Sequence, residues 1–150
     1  MAHLIISQKD EIAYPVGRDM AQTIEIVSQM VEKLRQLYTC SDPIQFVVRG
    51  SSGAIISGIA STMMRSHDLK IVHLKKEGES SHSSGASIEA DRKVIIIDDL
   101  IASGATVNTI YSEVSKHNLE VDTLCVSGSV YTRNLNFKPN NIITGTIKIN

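Results

Sequence analysis

Two cysteines in 150 residues, Cys40 and Cys125, are too few and too far apart for a disulfide scaffold or a zinc site. Core packing in a reducing cytoplasm is the expectation for both. No Lys/Arg block occurs, and 15 basic against 16 acidic side chains give a net charge of −1, so neither nucleic acid nor a membrane is an expected partner. No apolar run reaches the length that spans a bilayer, and the N-terminus has neither a basic lead nor a long apolar stretch. The five histidines stand far apart, without an i, i+4 pair on a helix, which argues against a histidine metal centre. Tryptophan is absent, and with two phenylalanines and four tyrosines few rings are available to stack on a planar ligand. What remains is a soluble, cytoplasmic chain forming one domain over residues 1–150, large enough for a real core.

Apolar residues then alternate between strand-like and helix-like spacing, without internal repeats. A short strand-like start over 3–7 precedes a segment from about 16 to 38 that sets Met20, Ile24, Val27, Val31 and Leu34 on one helical face, with Pro15 suited to its first turn. Residues 44–48 read as a buried strand, 53–65 as a helix and 70–74 as a strand. The stretch 77–91 is polar and rich in serine and glycine, which predicts a mobile loop. Residues 94–97 form the expected central strand, 105–117 a helix, 121–127 a strand and 142–149 a last, alternating strand. Strands alternating with helices imply an α/β fold with a mostly parallel central sheet flanked by helices.

The thirteen residues from Val94 to Thr106, VIIIDDLIASGAT, carry the most chemistry. Four β-branched residues suit a parallel strand covered on both faces, and Asp98 and Asp99 fall at its carboxyl end, where open α/β sheets bind ligands. Ala102, Ser103, Gly104, Ala105 and Thr106 have little bulk, so backbone N–H groups can approach a phosphate, with the positive end of the next helix behind them. Ser103 and Thr106 add hydroxyl donors. The bland alternative is an Asp-Asp helix cap before an ordinary βα turn.

This spacing resembles the phosphoribosyl-pyrophosphate motif of the type I phosphoribosyltransferases: four apolar residues, two acids, four small or apolar residues, then a hydroxyl residue, glycine and threonine. The resemblance implies that fold, with a small or reduced hood contributed by N-terminal residues and 131–150. It assigns the ribose hydroxyls to Asp98 and Asp99 and the 5′-phosphate to Ala102, Ser103, Gly104, Ala105 and Thr106. Its substrates are phosphoribosyl pyrophosphate and a nucleobase, and a homodimer is expected. Mg2+ is the expected cofactor, carried on the diphosphate and touched by Asp98 and Asp99.

A second anion cradle is Arg49-Gly50-Ser51-Ser52-Gly53, directly after the strand IQFVV. Alone, such a turn is better explained by glycine's role in tight turns. The resemblance places a pyrophosphate loop here, held by Arg49, Gly50, Ser51 and Ser52, and implies a cis or strained Val48–Arg49 peptide. Lys75 and Lys76, at the next strand exit, can neutralise a diphosphate, although lysines at strand exits are commonplace. Position favours Lys75. His73-Leu74-Lys75 is similar to the Arg-Leu-Lys run of the hypoxanthine-guanine members, but Lys76 and Glu77 stand where they have Ser-Tyr. Ser80, Ser81 and His82 are the nearest substitutes for that closing pair.

The implied reaction is attack of a base nitrogen on C1 of the ribose as Mg-pyrophosphate leaves from the opposite face, with Asp98, Asp99, Arg49 and Lys75 as the catalytic set. Ala102, where 6-oxopurine enzymes carry an aspartate, is similar to the adenine type, whereas Phe137-Lys138-Pro139 and the tail after it resemble the hypoxanthine-guanine type. A purine is the expected acceptor. Tyr131 and Phe137 are the aromatics available to it, and each suits packing equally well. The alternative from another class is a non-catalytic phosphoribosyl-pyrophosphate or nucleotide sensor on the same fold.

Overall fold

A computed structural model describes residues 2–6, 16–75 and 87–148. In chain order the elements are β1 (Ala2–Ile5), α1 (Met20–Leu37), β2 (Ile44–Val48), α2 (Ser51–Met63), β3 (Leu69–His73), β4 (Lys93–Asp98), α3 (Ala105–Lys116), β5 (Val121–Val126), β6 (Ser129–Tyr131), β7 (Asn141–Thr144) and β8 (Thr146–Lys148), with a 3-10 turn at Thr132–Asn134. Six strands form one sheet in the order β1-β7-β5-β4-β2-β3, every pair parallel. The α/β fold expected from the alternation is the fold observed.

The sheet is apolar on both faces because both are covered. All five residues of β2 and the last five of β4 are buried. On one face α1 and α2 close a core built on Val27, Met30, Leu34, Phe46, Ile56 and Ile95. On the other, α3 closes a second core around Val47, Ile96, Val107, Ile110, Val114 and Leu124. Among the described residues no helix is long and apolar enough to cross a membrane.

Two expected elements differ in detail. The buried face of α1 runs through Thr23, Ile26, Val27, Met30, Val31 and Leu34, while Met20 and Ile24 are exposed at 46% and 44%. Thr23 takes the inner position because its Oγ1 donates to the Asp19 carbonyl (2.7 Å), a polar residue satisfied within its own helix. Helix α1 starts at Met20 with Asp19 as its cap, and Pro15 lies outside the described residues.

The single alternating strand expected over 142–149 is two strands broken at Gly145. Strand β7 joins the main sheet, while β8 leaves it to pair with β6 in a separate two-stranded sheet. The break follows from Gly128, whose carbonyl accepts both the Gly145 N–H (3.2 Å) and Thr144 Oγ1 (2.6 Å) and ends the ladder there. Of the segments expected in a hood, residues 2–5 and 141–144 run in the main sheet, while 146–148 pair with β6 in the small one.

Candidate active site at the carboxyl end of the sheet

The chain leaves β2 toward β3 on one side of β4 and leaves β4 toward β5 on the other, so a crevice opens over the carboxyl ends of β2 and β4. Both turns singled out in the sequence lie there. Asp98 closes β4, 9% exposed, and Asp99 follows it half-buried. Each carboxylate holds the next amide: Asp98 Oδ1 accepts from Asp99 N (2.9 Å) and Asp99 Oδ1 from Leu100 N (2.7 Å). This stiffens the acidic pair against rotation. Residues 98–107 together line a cavity of about 190 Å³, which places Asp98, Asp99, Ala102, Ser103, Gly104, Ala105 and Thr106 around one space.

Helix capping sets the electrostatics of the two turns. Helix α1 caps itself, Asp19 accepting from Gln22 N (3.0 Å). Helices α2 and α3 start instead at Gly50 and Gly104, with no side-chain cap bond and no acid in the first turn. Apart from the Ala105 N–H, which donates to Ser103 Oγ (3.3 Å), their first N–H groups and the positive dipole ends are therefore available to an anion. Gly104 sits at φ +81°, the left-handed region that glycine enters without strain.

The Arg49 turn departs from expectation at its peptide bond. No described peptide is cis, so Val48–Arg49 is trans. None is needed, because α2 begins at Ser51, two residues earlier than its apolar periodicity suggests, and the helix start already turns successive N–H groups outward. Gly53 has a packing role: a Cβ there would lie 2.8 Å from the Ile97 carbonyl and 3.1 Å from Val48 Cβ, so glycine lets α2 sit close on β4.

Arg49 and Lys75 are brought together. With His73, Leu74, Ile88 and the outer side of α3 they line a groove of about 450 Å³. His73 Nε2 is 3.2 Å from the Arg49 carbonyl, tying the turn after β2 to the end of β3. Lys76, Glu77, Ser80, Ser81 and His82 lie outside the described residues. Of the mobile loop expected over 77–91, residues 77–86 lie outside the described residues, and the part that is described is anchored: Ile88 is buried, and buried Gln45 on β2 donates to the carbonyls of Glu89 (2.7 Å) and Arg92 (3.0 Å) and accepts from Glu89 N (2.9 Å). Hydrogen bonds from Lys70, then Arg92, hold the Glu89 carboxyl below the usual carboxylate range.

The two aromatics part company. Phe137 stacks on Tyr111 of α3, ring centroids 4.8 Å apart, and packs against the second core. Tyr131 lies on β6, its N–H donating to the Ile101 carbonyl beside the acidic turn (3.2 Å).

Four contributors were missed in the sequence: Ser127, Gly128, Asn108 and Asn134. Ser127 Oγ (3.0 Å) and Gly128 N (2.6 Å) both donate to the Asp99 carbonyl. Asn134 donates from Nδ2 to the Ala102 carbonyl, and Asn108 Nδ2 to the Asn134 carbonyl (2.8 Å). A Ser-Gly pair after a strand was the signal available for the first two; the asparagines gave none.

No family model matches the chain. No curated protein matches it in sequence. Solved structures do match in fold. Adenine phosphoribosyltransferase from Saccharomyces cerevisiae superposes with a TM-score of 0.63 at 15% identity, covering 80% of this chain and 75% of that one. Purine phosphoribosyltransferase from Pyrococcus horikoshii covers 99% and 93%, with a TM-score of 0.58 at 18% identity. A hypoxanthine-guanine phosphoribosyltransferase from Bacillus anthracis covers 87% and 79%, with a TM-score of 0.62 at 13% identity. Likeness over most of both chains at such low identity is a likeness of architecture, and the architecture of this chain is the type I phosphoribosyltransferase fold.

Proposed function

We propose that the chain transfers the phosphoribosyl group of phosphoribosyl pyrophosphate to a nucleobase, a purine, releasing pyrophosphate. One observation carries this reading. An acidic pair at the tip of the central strand and the glycine-capped start of α3 line a single cavity, so hydroxyl-binding carboxylates and a phosphate-binding helix end face one ligand. In this reading the N–H groups of the loop, Ala102 to Thr106, take the 5′-phosphate. Asp98 and Asp99 accept the ribose hydroxyls in charge-assisted hydrogen bonds. The uncapped start of α2, with Gly50, Ser51 and Ser52, takes the diphosphate together with Arg49 and Lys75.

The donor set fits Mg2+ brought in on the diphosphate. Among the described residues no three His, Cys, Asp or Glu side chains converge on a metal position, whereas Asp98 and Asp99 offer the one or two carboxylates that Mg2+ takes beside substrate phosphates. When bound, the ion supplies charge neutralisation on the leaving diphosphate. The protein's own work is positioning and electrostatics. The carboxylates fix the ribose while the bond from C1 to the diphosphate oxygen breaks and a base nitrogen bonds C1 from the opposite face. Positive charge grows on the ring, and negative charge on the diphosphate beside Arg49 and Lys75. This route requires no covalent nucleophile. Phe137 is engaged with Tyr111, which leaves Tyr131, whose backbone N–H donates to the Ile101 carbonyl after the acidic turn, as the candidate aromatic for the base.

The test is incubation with phosphoribosyl pyrophosphate, Mg2+ and a panel of bases, with pyrophosphate release as readout. Release dependent on a purine is expected. Binding of phosphoribosyl pyrophosphate without release with any base would replace the transferase reading with that of a binding protein.

A further inference from the structure

We infer that Asn134 is a positioning residue for the 5′-phosphate, acting on the cradle from behind; this rests on the reading of residues 102–106 as a phosphate site. Asn134 closes the 3-10 turn after β6 and is not in the wall of the cavity that residues 98–107 line. Its Nδ2 donates to the Ala102 carbonyl. In a trans peptide the C=O and the following N–H point in opposite directions. Holding the Ala102 carbonyl toward Asn134 therefore turns the Ser103 N–H to the far side, toward the cavity. The loop's small residues allow this peptide either orientation, so an external hydrogen bond is what selects the one that offers a donor to phosphate.

Asn134 is itself clamped. Asn108, in the first turn of α3, donates from Nδ2 to the Asn134 carbonyl (2.8 Å) and accepts the Asn136 N–H on Oδ1 (2.8 Å). Both side-chain ends of Asn108 are thus committed to the segment that carries Asn134. The approach is close enough to dictate Gly104, where an added Cβ would run into the Asn134 carbonyl and Asn108 Nδ2. Loop, helix start and the 134–136 segment consequently form one hydrogen-bonded unit, with its geometry set before ligand arrives. Preorganised donors are the ones that hold charge without reorganisation cost.

The experiment titrates two probes, ribose 5-phosphate and magnesium pyrophosphate, into wild type, Asn134→Asp and Asn134→Ala, with melting temperature followed for each. Ribose 5-phosphate needs the cradle; pyrophosphate is held at the Arg49 turn. Asn134→Asp keeps the shape and removes the donor but adds a negative charge, whereas Asn134→Ala removes the donor without adding charge, so a loss shared by the two is that of the donor. Both variants are expected to lose about three- to tenfold in affinity for ribose 5-phosphate, the effect of one hydrogen bond, with pyrophosphate affinity unchanged. Asn108→Ala, which cuts the other end of the clamp, is expected to show the same selective loss. Wild-type affinity for ribose 5-phosphate in all three variants overturns the proposal. Equal loss of both probes also overturns it, since that is the mark of general destabilisation. Wild type that binds pyrophosphate but not ribose 5-phosphate refutes the phosphate site itself, and the proposal with it.

Discussion

Gly128 donates its backbone N–H to the Asp99 carbonyl at 2.6 Å, so the acidic turn after β4 hangs on the end of β5. The contact is tight because residue 128 has no side chain: a Cβ there would lie 2.9 Å from the Asp99 oxygen and 3.1 Å from Leu100 Cβ. Neighbouring strands thus set where the carboxylates stand.

Gly128→Ala should displace that turn. The backbone of Asp99 cannot give way without breaking the hydrogen bonds from Ser127 and Gly128, so the cost is that of overpacking, about 1–3 kcal/mol. Urea denaturation measures it, and calorimetry is expected to show weaker phosphoribosyl-pyrophosphate binding. A variant with wild-type stability and affinity would contradict the role given to this contact.

The carboxylates themselves should dominate ribose recognition. Asp98→Asn and Asp99→Asn each replace a charged acceptor with an amide, which costs about 1.5–3 kcal/mol of binding. Titration of phosphoribosyl pyrophosphate into both variants decides the matter: affinity unchanged in the two would remove the central element of the proposed site.

Acid should release the return end of the loop at 87–92. Hydrogen bonds from Lys70 and Arg92 depress the Glu89 carboxyl below its ordinary value of 4.5. A depressed carboxylate contributes stability that is present above the unfolded-state value and lost as pH falls through the folded one. The tether is therefore expected to be intact at neutral pH and to weaken only below the usual carboxylate range. Exchange rates of the Glu89 and Arg92 amides across pH 2 to about 6 report it. Glu89→Gln should flatten that dependence, and an identical acid response in wild type and variant would show that another group is responsible.

Discrimination among purines should be shallow. Ala102 offers no hydrogen bond to N7, and Phe137 is committed to Tyr111. Large rejection ratios come from leaving buried polar groups of the site unpaired, and neither of these side chains supplies one. Adenine, hypoxanthine and guanine are expected to differ by less than roughly a hundredfold in kcat/KM. Steady-state comparison of these three with uracil and orotate checks this, and a strong preference for one pyrimidine would defeat the purine assignment.

Much of the site was legible in the sequence because its chemistry is contiguous. The strand Val94 to Ile97, the acids after it and the small residues before α3 are consecutive, and local backbone geometry alone turns such a run into a strand tip and a helix-start cradle. The same holds for Arg49 to Ser52 after β2, apart from its peptide bond: the early start of α2 presents the amides, and the Val48–Arg49 bond stays trans.

What the tertiary structure alone decided are contacts between residues far apart in the chain. Periodicity identified α1 as a helix and set Val27, Val31 and Leu34 on its inward face, but the docking angle decided the rest of that face and left Met20 and Ile24 outside. The break at Gly145 depends on Gly128, and the hydrogen bond on the Ala102 carbonyl comes from Asn134, 32 residues away. Hydropathy and turn propensity are properties of short windows, whereas a hydrogen bond between distant segments exists only once strand order and register have brought its two atoms together.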